Sequence, residues 1–218
     1  MKKIWIGLSL FLTVVALAEL AWFHLDSHPR PAHSQFVSMK KTWVKERHPV
    51  SLPKFQLVGN KNRHFLRKDL RGQWDLLLFG YTSCPDACPA SLSMLSRTVK
   101  YMHDNGLEPV PRVIFISVDP DRDSPAHLAD YLTNFDKDFI GLTGKPSELK
   151  KLMHALGSDY QIDKARGSIT VDHATSLFLI NPEGRLTGLF SHATPPSSLG
   201  PEIKVALHSD YAAKTYAP

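Results

Sequence analysis

One segment indicates the fold more clearly than any other, Trp74-Asp-Leu-Leu-Leu-Phe-Gly-Tyr-Thr-Ser-Cys84-Pro-Asp-Ala-Cys88-Pro89. It begins with a nearly continuous apolar run, which is typical of a strand that is covered on both faces of a sheet. A short loop with both cysteines of the chain follows, and apolar residues at spacings of three and four over 89–104 then predict an amphipathic helix. We expect Pro89 to open this helix and Cys88 to cap it. A strand, a cysteine loop and a helix therefore form the predicted centre of the domain.

Strands and helices alternate along the rest of the chain. Apolar runs at 112–118 and 176–180 predict further buried strands, and Ser124 followed by Pro125 predicts the start of a helix. The remaining predicted strands are 55–58, 63–65, 139–142 and 186–190, and the remaining predicted helices are 146–156 and 196–208. This order predicts an α/β fold with right-handed crossovers and a mixed central sheet flanked by helices. It fits a thioredoxin-like architecture but does not by itself exclude other α/β folds.

The composition is that of a globular protein. Of 218 residues, 43% are hydrophobic and 22% are charged, which excludes a wholly disordered or collagen-like chain. The length fits one domain with a sizeable appendage. The net charge is +5, but the basic residues are spread among acidic ones, so we expect no nucleic-acid partner. The presence of only two cysteines excludes a disulfide scaffold and a four-cysteine zinc site.

The N-terminal segment, residues 1–25, predicts a transmembrane anchor or a signal segment. Two lysines precede a long uncharged stretch, which is the pattern of a charged region followed by an apolar one. One reading is cleavage after Ala18, because Ala16-Leu-Ala18 has the small-x-small form of a signal-peptidase site. The other reading, which we favour, is an uncleaved anchor, since residues 4–25 as a helix would measure ~33 Å and span a bilayer.

Both readings place the rest of the chain outside the cytoplasm. Because the N-terminal lysines point that end to the cytoplasm, we expect a single-pass protein of the inner membrane with its globular domain on the periplasmic side. Residues 26–51 contain prolines, histidines and lysines with little apolar periodicity, and they predict a tether. The globular domain is expected over residues 52–210.

The cysteine loop has the chemistry of a thiolate site. A strand end that feeds a helix leaves amide donors unpaired, and the helix dipole lowers the pKa of a cysteine placed there. Three residues separate Cys84 from Cys88, one more than in a dedicated thioredoxin-type oxidoreductase, which leaves room for an ion. Two thiolates alone leave a metal undercoordinated, and the candidate third ligand is His173, in a loop that faces the cysteine loop in a thioredoxin-like arrangement. Two thiolates and one imidazole suit copper, whereas structural zinc normally takes a fourth protein ligand.

Each of these residues also has a plainer interpretation. Cys84 and Cys88 can form a structural disulfide, and reversible oxidation of the pair is compatible with a copper role. His173 taken alone can be a polar residue with satisfied hydrogen bonds. Asp172 can either orient the His173 imidazole from behind or cap its loop.

Other chemically active residues predict structural roles. Asp119, Asp121 and Asp123 lack the accompanying glycine and glutamate of a calcium loop, so they predict a strand-end loop and a helix cap, with support of the cysteine site as a further role. We expect the histidines in predicted helices, His127 and His154 among them, to lie on the surface.

Three motifs make the sequence resemble the Sco/SenC family of copper-binding, thioredoxin-like proteins that assist assembly of cytochrome c oxidase. They are the cysteine segment at 79–89, Ser-Val-Asp-Pro-Asp-Arg-Asp-Ser-Pro at 117–125 and Val-Asp-His at 171–173. The resemblance covers residues 52–207, and it implies that Cys84, Cys88 and His173 bind copper as Cu(I) or Cu(II). Ser83 stands where the family commonly has histidine, a position outside this ligand set. The membrane anchor of the family also favours the anchor reading of the N-terminus.

The resemblance implies a copper metallochaperone rather than a turnover enzyme. Such a protein passes copper by ligand exchange to the cytochrome c oxidase subunit that carries the CuA site, with another copper chaperone or a thiol reductase as further partners. The rival hypothesis is a thiol-disulfide reductase that uses the same two cysteines to keep the oxidase cysteines reduced. A thiol peroxidase of the same fold is a third alternative.

Overall fold

Three parallel strands lie at the centre of the computed structural model, which describes residues 43–163, 168–171, 176–191 and 195–215. Within these ranges the main sheet consists, in spatial order, of β1 (Trp43–Ser51), β10 (Arg185–Ser191), β9 (Ser176–Ile180), β4 (Asp75–Gly80), β5 (Arg112–Ser117), β6 (Ile140–Thr143), β2 (Gln56–Gly59) and β3 (His64–Leu66). A separate two-stranded sheet consists of β7 (Tyr160–Asp163) and β8 (Ser168–Val171). The helices are α1 (Ala87–Asp104), α2 (Pro125–Thr133), α3 (Pro146–Ala155) and α4 (Pro196–Thr215).

The sheet combines parallel and antiparallel strands. β4, β5 and β6 run parallel, and α1 and α2 form the two crossovers between them. β9, β10 and β1 extend the sheet on one side, and β2 and β3 extend it on the other, all in antiparallel pairs. The prediction of an α/β fold with a mixed central sheet is therefore confirmed.

Side chains alternate between the two faces of the sheet and build two cores. On β4, Leu76 and Leu78 belong to the core that includes residues of α1, α2 and α4, whereas Leu77 and Phe79 belong to the core that includes residues of α3. None of these four side chains is more than 2% exposed. Burial on both faces is the reason why this strand has a continuous apolar run rather than an alternating pattern.

The strand β1 lies in the segment that is predicted to be the tether. Residues 43–51 belong to the predicted tether, yet they form an edge strand that pairs with β10. The Trp43 ring stacks on Phe190 with centroids 4.6 Å apart, and a Cβ atom at Gly188 would lie 2.4 Å from the same ring. An edge strand keeps exposed and charged residues, so this segment lacks the apolar periodicity by which a strand is recognised. The sheet begins at Trp43, before the predicted domain start at residue 52.

The hairpin of β7 and β8 is a second element that is not among the predicted strands. The two strands pair from Tyr160 and Val171 to Asp163 and Ser168. Each is four residues long and alternates apolar with polar residues, which is a strand pattern of the shortest length that counts as one. The closing helix α4 is predicted, but it continues to Thr215, beyond the expected end at residue 208.

The predicted anchor or signal segment, residues 1–25, and the tether up to residue 42 lie outside the residues that the structure describes. No helix within the described ranges combines the length and the apolar character that are needed to cross a membrane. Attachment to a membrane stays a prediction about the N-terminal segment.

Candidate metal centre

The cysteine loop leaves the sheet at the end of β4 and enters α1. A turn forms first, in which the Cys84 amide donates to the carbonyl oxygen of the third residue before it at 3.3 Å. α1 then begins at Ala87, with Asp86 in the N-cap position, so Cys88 lies inside the first helical turn. The expectation that Cys88 caps the helix and Pro89 opens it is wrong. A proline is tolerated within the first turn because the amides there have no partner inside the helix.

The two cysteines are adjacent but occupy different environments. Both are free thiols, and Cys84 is partly exposed whereas Cys88 is only 4% exposed. The two thiols interact, since the Cys88 side chain helps to lower the pKa of Cys84. The structure therefore brings together two of the three predicted copper ligands, one at the surface and one beneath it.

The difference in environment also gives the two thiols different pKa values. Partial burial raises the pKa of Cys84, but backbone amides of residues 86–88 and the Cys88 thiol donate to its sulfur, and the net pKa lies below the usual thiol value. Burial raises the pKa of Cys88 to about 12, although the Tyr81 amide partly offsets this effect. Cys84 is therefore the sulfur that becomes negatively charged first, and it is also the one that solvent reaches.

Gly80, the last residue of β4, leaves space for the buried sulfur. A Cβ atom at this position would lie 2.7 Å from Cys88 Sγ and 2.7 Å from the Phe115 ring. Both distances are well inside van der Waals contact, so a larger residue would displace the sulfur or the ring. The sequence pattern marks Gly80 only as the end of a strand, because spacing does not show which helix packs against it.

A buried carboxylate connects the cysteine loop to β5. Asp123, which is 0% exposed, accepts hydrogen bonds from the Thr82 amide at 2.9 Å, from the Thr82 hydroxyl and from the Ser117 hydroxyl at 2.5 Å. The predicted cap of α2 is confirmed, since the Ser124 hydroxyl oxygen accepts from the His127 amide. A supporting role for this loop is expected from the sequence, but the contact of Asp123 with Thr82 is not predicted, because the two residues are 41 positions apart.

The histidines of the helices differ in their relation to this loop. His154 is exposed, as expected. His127 is also exposed, but its Nε2 lies 3.2 Å from the Thr82 hydroxyl oxygen, so it contacts the cysteine loop rather than standing apart on the surface. The sequence places His127 in a helix but does not show which loop that helix faces.

The third predicted ligand, His173, and the adjacent Asp172 lie outside the described residues. The structure does show the strands that flank them, since the chain leaves β8 shortly before these residues and enters β9 shortly after them. β9 runs antiparallel to β4, with Phe178 opposite Leu77. The start of β9 is therefore at the end of the sheet from which the cysteine loop leaves. That His173 joins the cysteine pair stays a prediction.

The described part of the site supplies two sulfur donors. Within the described ranges, no group of three or more histidine, cysteine, aspartate or glutamate side chains could hold a metal ion. Adjacent sulfurs, one of them with a lowered pKa, are donors that suit a soft ion such as Cu(I).

Comparison with known proteins agrees with the three sequence motifs. The SCO1/SenC family model matches residues 45–208. A SCO2-like protein of Rickettsia prowazekii is 34% identical over 186 residues, which cover 84% of this chain and 86% of that protein. The solved structure of Bradyrhizobium japonicum ScoI with copper bound is 33% identical and has a TM-score of 0.61, and it covers 72% of this chain and 99% of that one.

A more distant structure shows the same fold. BsSco, a member of the Sco family of cytochrome c oxidase assembly proteins in which a disulfide switch is identified, is 22% identical with a TM-score of 0.61. The match covers 76% of this chain and 98% of that one. The thioredoxin-like arrangement expected from the motifs is therefore shared with solved Sco structures.

Proposed function

This chain belongs to the SCO1/SenC family, and from that premise we propose that it is a copper metallochaperone for the CuA centre of cytochrome c oxidase. Cys84, Cys88 and His173 hold copper as cargo, and Asp172 orients the imidazole from behind. The observation that carries the proposal is the pair of adjacent but unequal sulfur atoms at the start of α1.

The donor set favours copper over other ions. Two thiolates stabilise Cu(I), and an imidazole nitrogen helps to hold Cu(II). The related ScoI of Bradyrhizobium japonicum has been solved with copper bound. The placement of the start of β9 beside the exit of the cysteine loop supports the approach of His173 to the sulfur pair.

The different exposure of the two cysteines sets the order in which their sulfurs release copper. Cys84 is the more exposed ligand, so a thiolate of the acceptor protein meets the ion on the Cys84 side and replaces that sulfur first. Cys88 holds the ion from beneath until the exchange is nearly complete. Copper binding removes a proton from Cys88, whose pKa is about 12, and the return of that proton favours release of the ion.

The proposed setting is the outer face of the inner membrane. Residues 1–25 anchor the chain, and the domain on the periplasmic side reaches the oxidase subunit that carries the CuA site. Another copper chaperone supplies the ion, or a thiol reductase restores the dithiol after oxidation.

A thiol-disulfide reductase is the second candidate function, and the acidities of the pair favour it too. The Cys84 thiolate attacks a partner disulfide to form a mixed disulfide and release one partner thiolate. Cys88 then loses its proton and attacks Cys84, which releases the second partner thiolate. The chain ends as a disulfide and the partner as a dithiol, so two electrons have moved to the partner.

Copper titration of the reduced full chain, followed by absorption spectroscopy, tests the first proposal. We expect a thiolate-to-Cu(II) charge-transfer band that saturates at one equivalent and is lost in Cys84→Ser. His173→Ala should lose most of the Cu(II) affinity, whereas His154→Ala, which changes an exposed histidine elsewhere, should keep it.

The same variants separate the two functions. A chaperone loses copper binding in His173→Ala, but thiol-disulfide exchange with glutathione disulfide persists, because exchange needs only the cysteine pair. If His173→Ala binds Cu(II) as tightly as the unaltered chain, the proposed ligand set is wrong. If in addition the chain reduces disulfides at the same rate with and without copper, the reductase is the better account.

A further inference from the structure

The Asp123 carboxylate joins three parts of the structure at one buried point. Thr82 lies in the cysteine loop, Ser117 ends β5, and Asp123 precedes α2. The two Thr82 donors and the Ser117 hydroxyl all direct hydrogens at the carboxylate, which acts only as an acceptor. A buried carboxylate with these donors resists movement, because displacing any of them leaves a buried polar group unsatisfied.

Thr82 is held from both sides. Its only hydroxyl hydrogen is directed at Asp123, so its oxygen must accept from His127 Nε2, which lies 3.2 Å away. The proton of the His127 ring is therefore on Nε2. Thr82 stands two positions before Cys84 in the loop, so the position of Thr82 determines where the loop presents the exposed sulfur.

We propose that Asp123 is a positioning residue for the dithiol, which acts through Thr82 to hold Cys84 next to Cys88. The buried sulfur is already fixed by α1 and by the space at Gly80. The more exposed sulfur, that of Cys84, lies before the helix, and the turn that carries it is tied to the rest of the domain through Thr82. Asp123 makes this connection from the loop between β5 and α2.

The expected effect concerns any reaction that uses both sulfurs together. Bringing two sulfurs together on one ion, or joining them in a disulfide, costs conformational entropy. A loop that is already held in place has lost that entropy on folding, so the cost of the reaction itself is smaller. Loosening the loop lowers the effective concentration of one thiol relative to the other. It should therefore weaken disulfide formation as well as chelation of an ion.

Thr82 offers a matched pair of substitutions for the test. Thr82→Val keeps the shape of the side chain but removes the hydroxyl and both of its hydrogen bonds, whereas Thr82→Ser keeps the hydroxyl. The measurement is the equilibrium of the metal-free full chain with glutathione, in which the protein dithiol and glutathione disulfide give the protein disulfide and two glutathione molecules. We expect Thr82→Val to lower this equilibrium constant about tenfold, which is about 30 mV for a two-electron couple, and Thr82→Ser to change it less than about twofold.

A second pair changes the carboxylate itself. Asp123→Asn should lower the constant at least as much as Thr82→Val does. Asp119→Asn is the control, because Asp119 is similarly buried in the same loop but its carboxylate pairs with Arg122. Thermal melting of each variant checks that it is folded. If one variant does not fold, the other pair of substitutions tests the role of Asp123.

Three results would overturn the inference. The first is that Thr82→Val and Thr82→Ser give equal constants, and the second is that Asp119→Asn shifts the constant as much as Asp123→Asn does. The third is a constant that rises in Thr82→Val, because the loop would then be held against closure. The inference rests on the proposed function only in treating the cysteines as a working pair. Since the measurement contains no copper, its failure leaves the proposed ligand set untouched, and failure of copper binding leaves this inference untouched.

Discussion

Two carboxylates are fully buried near opposite ends of the strands β4 and β5, and their partners differ in kind. Asp75, at the start of β4, pairs with the Arg112 guanidinium of β5 at 2.6 and 3.0 Å. Asp123, beyond the other end of β5, accepts from uncharged amide and hydroxyl donors of Thr82 and Ser117. The first pair joins two strands of the sheet, and the second set joins the sheet to the cysteine loop. Changes at the first should therefore alter stability, and changes at the second should alter dithiol chemistry.

The largest expected effect is on stability, and it follows from removing the Arg112 guanidinium. Arg112→Leu leaves the Asp75 carboxylate buried without its charged partner, and it should lower the free energy of unfolding by about 3–5 kcal/mol. Urea unfolding measures this loss. Arg122→Leu is the control, since its pair with Asp119 is half exposed at the Arg122 side chain and should contribute about 1 kcal/mol or less. Equal losses of unfolding free energy in the two variants would mean that the buried Asp75–Arg112 pair stabilises the fold no more than the Asp119–Arg122 pair does.

The pH dependence of stability sharpens the same contrast. Burial raises the pKa of Asp75 to about 6, and the Arg112 hydrogen bond and charge offset this only in part. A carboxyl group with a higher pKa in the folded chain than in the unfolded chain binds its proton more tightly when folded. Its contribution to the unfolding free energy therefore falls as the pH rises from about 4 to about 6, by up to about 3 kcal/mol.

The variant Asp75→Asn isolates this contribution. Its unfolding free energy should fall less steeply between about pH 4 and pH 6 than that of the unaltered chain, because the titrating group is gone. Urea unfolding at several pH values gives both slopes. Parallel curves for the two proteins would show that Asp75 does not titrate in this range.

Filling the space at Gly80 should lower stability less than Arg112→Leu does, but it should clearly weaken copper binding. Gly80→Ala places a methyl group 2.7 Å from Cys88 Sγ, and the strain should cost about 1–3 kcal/mol and weaken copper binding. Gly141→Ala is matched, since its Cβ would lie 2.9 Å from a Leu128 atom, away from the cysteines. Both variants should lose stability, but only Gly80→Ala should lose the charge-transfer band. Equal copper binding in the two would mean that the sulfur tolerates displacement.

The smallest expected difference is one of reaction rate between the two thiols. The lowered pKa of Cys84 and the raised pKa of Cys88 predict that iodoacetamide modifies Cys84 first near neutral pH. Mass mapping after short exposure measures the preference. Raising the pH should speed the Cys84 reaction only until its thiolate is fully formed, while Cys88 remains protonated. Equal labelling of both thiols would contradict the asymmetry on which the order of copper release rests.

The centre of the fold could be predicted because its signals are local. The apolar run before Gly80 and the spacing of the following helix each lie within one segment. The pairing of β4 with β5 confirms the strand, and α1 confirms the helix. The edge strand β1 could not be predicted, because its stabilisation comes from Trp43 packing on Phe190, far along the chain. The start of α1 was misplaced because Pro89 is compatible with more than one position of the first turn.

The candidate site divides in the same way. Cys84 and Cys88 could be found from spacing, since both lie in one short segment between the end of β4 and the first turn of α1. Asp123 and His127 could not, because their contacts with Thr82 depend on how the β5–α2 loop meets the cysteine loop in space. A motif shows which residue types are present, but it does not show which of them hold a loop in position.

Copper transfer to the acceptor shows whether the chain is a chaperone. The full chain loaded with copper is mixed with the reduced, metal-free CuA domain of an oxidase, and the absorption of the dinuclear centre is followed over time. We expect the centre to form faster than with the same amount of copper in glutathione, and we expect Cys84→Ser and His173→Ala to abolish the advantage. If the chain retains its copper, or if the two variants deliver as well as the unaltered chain, the protein is not a chaperone that works through these residues.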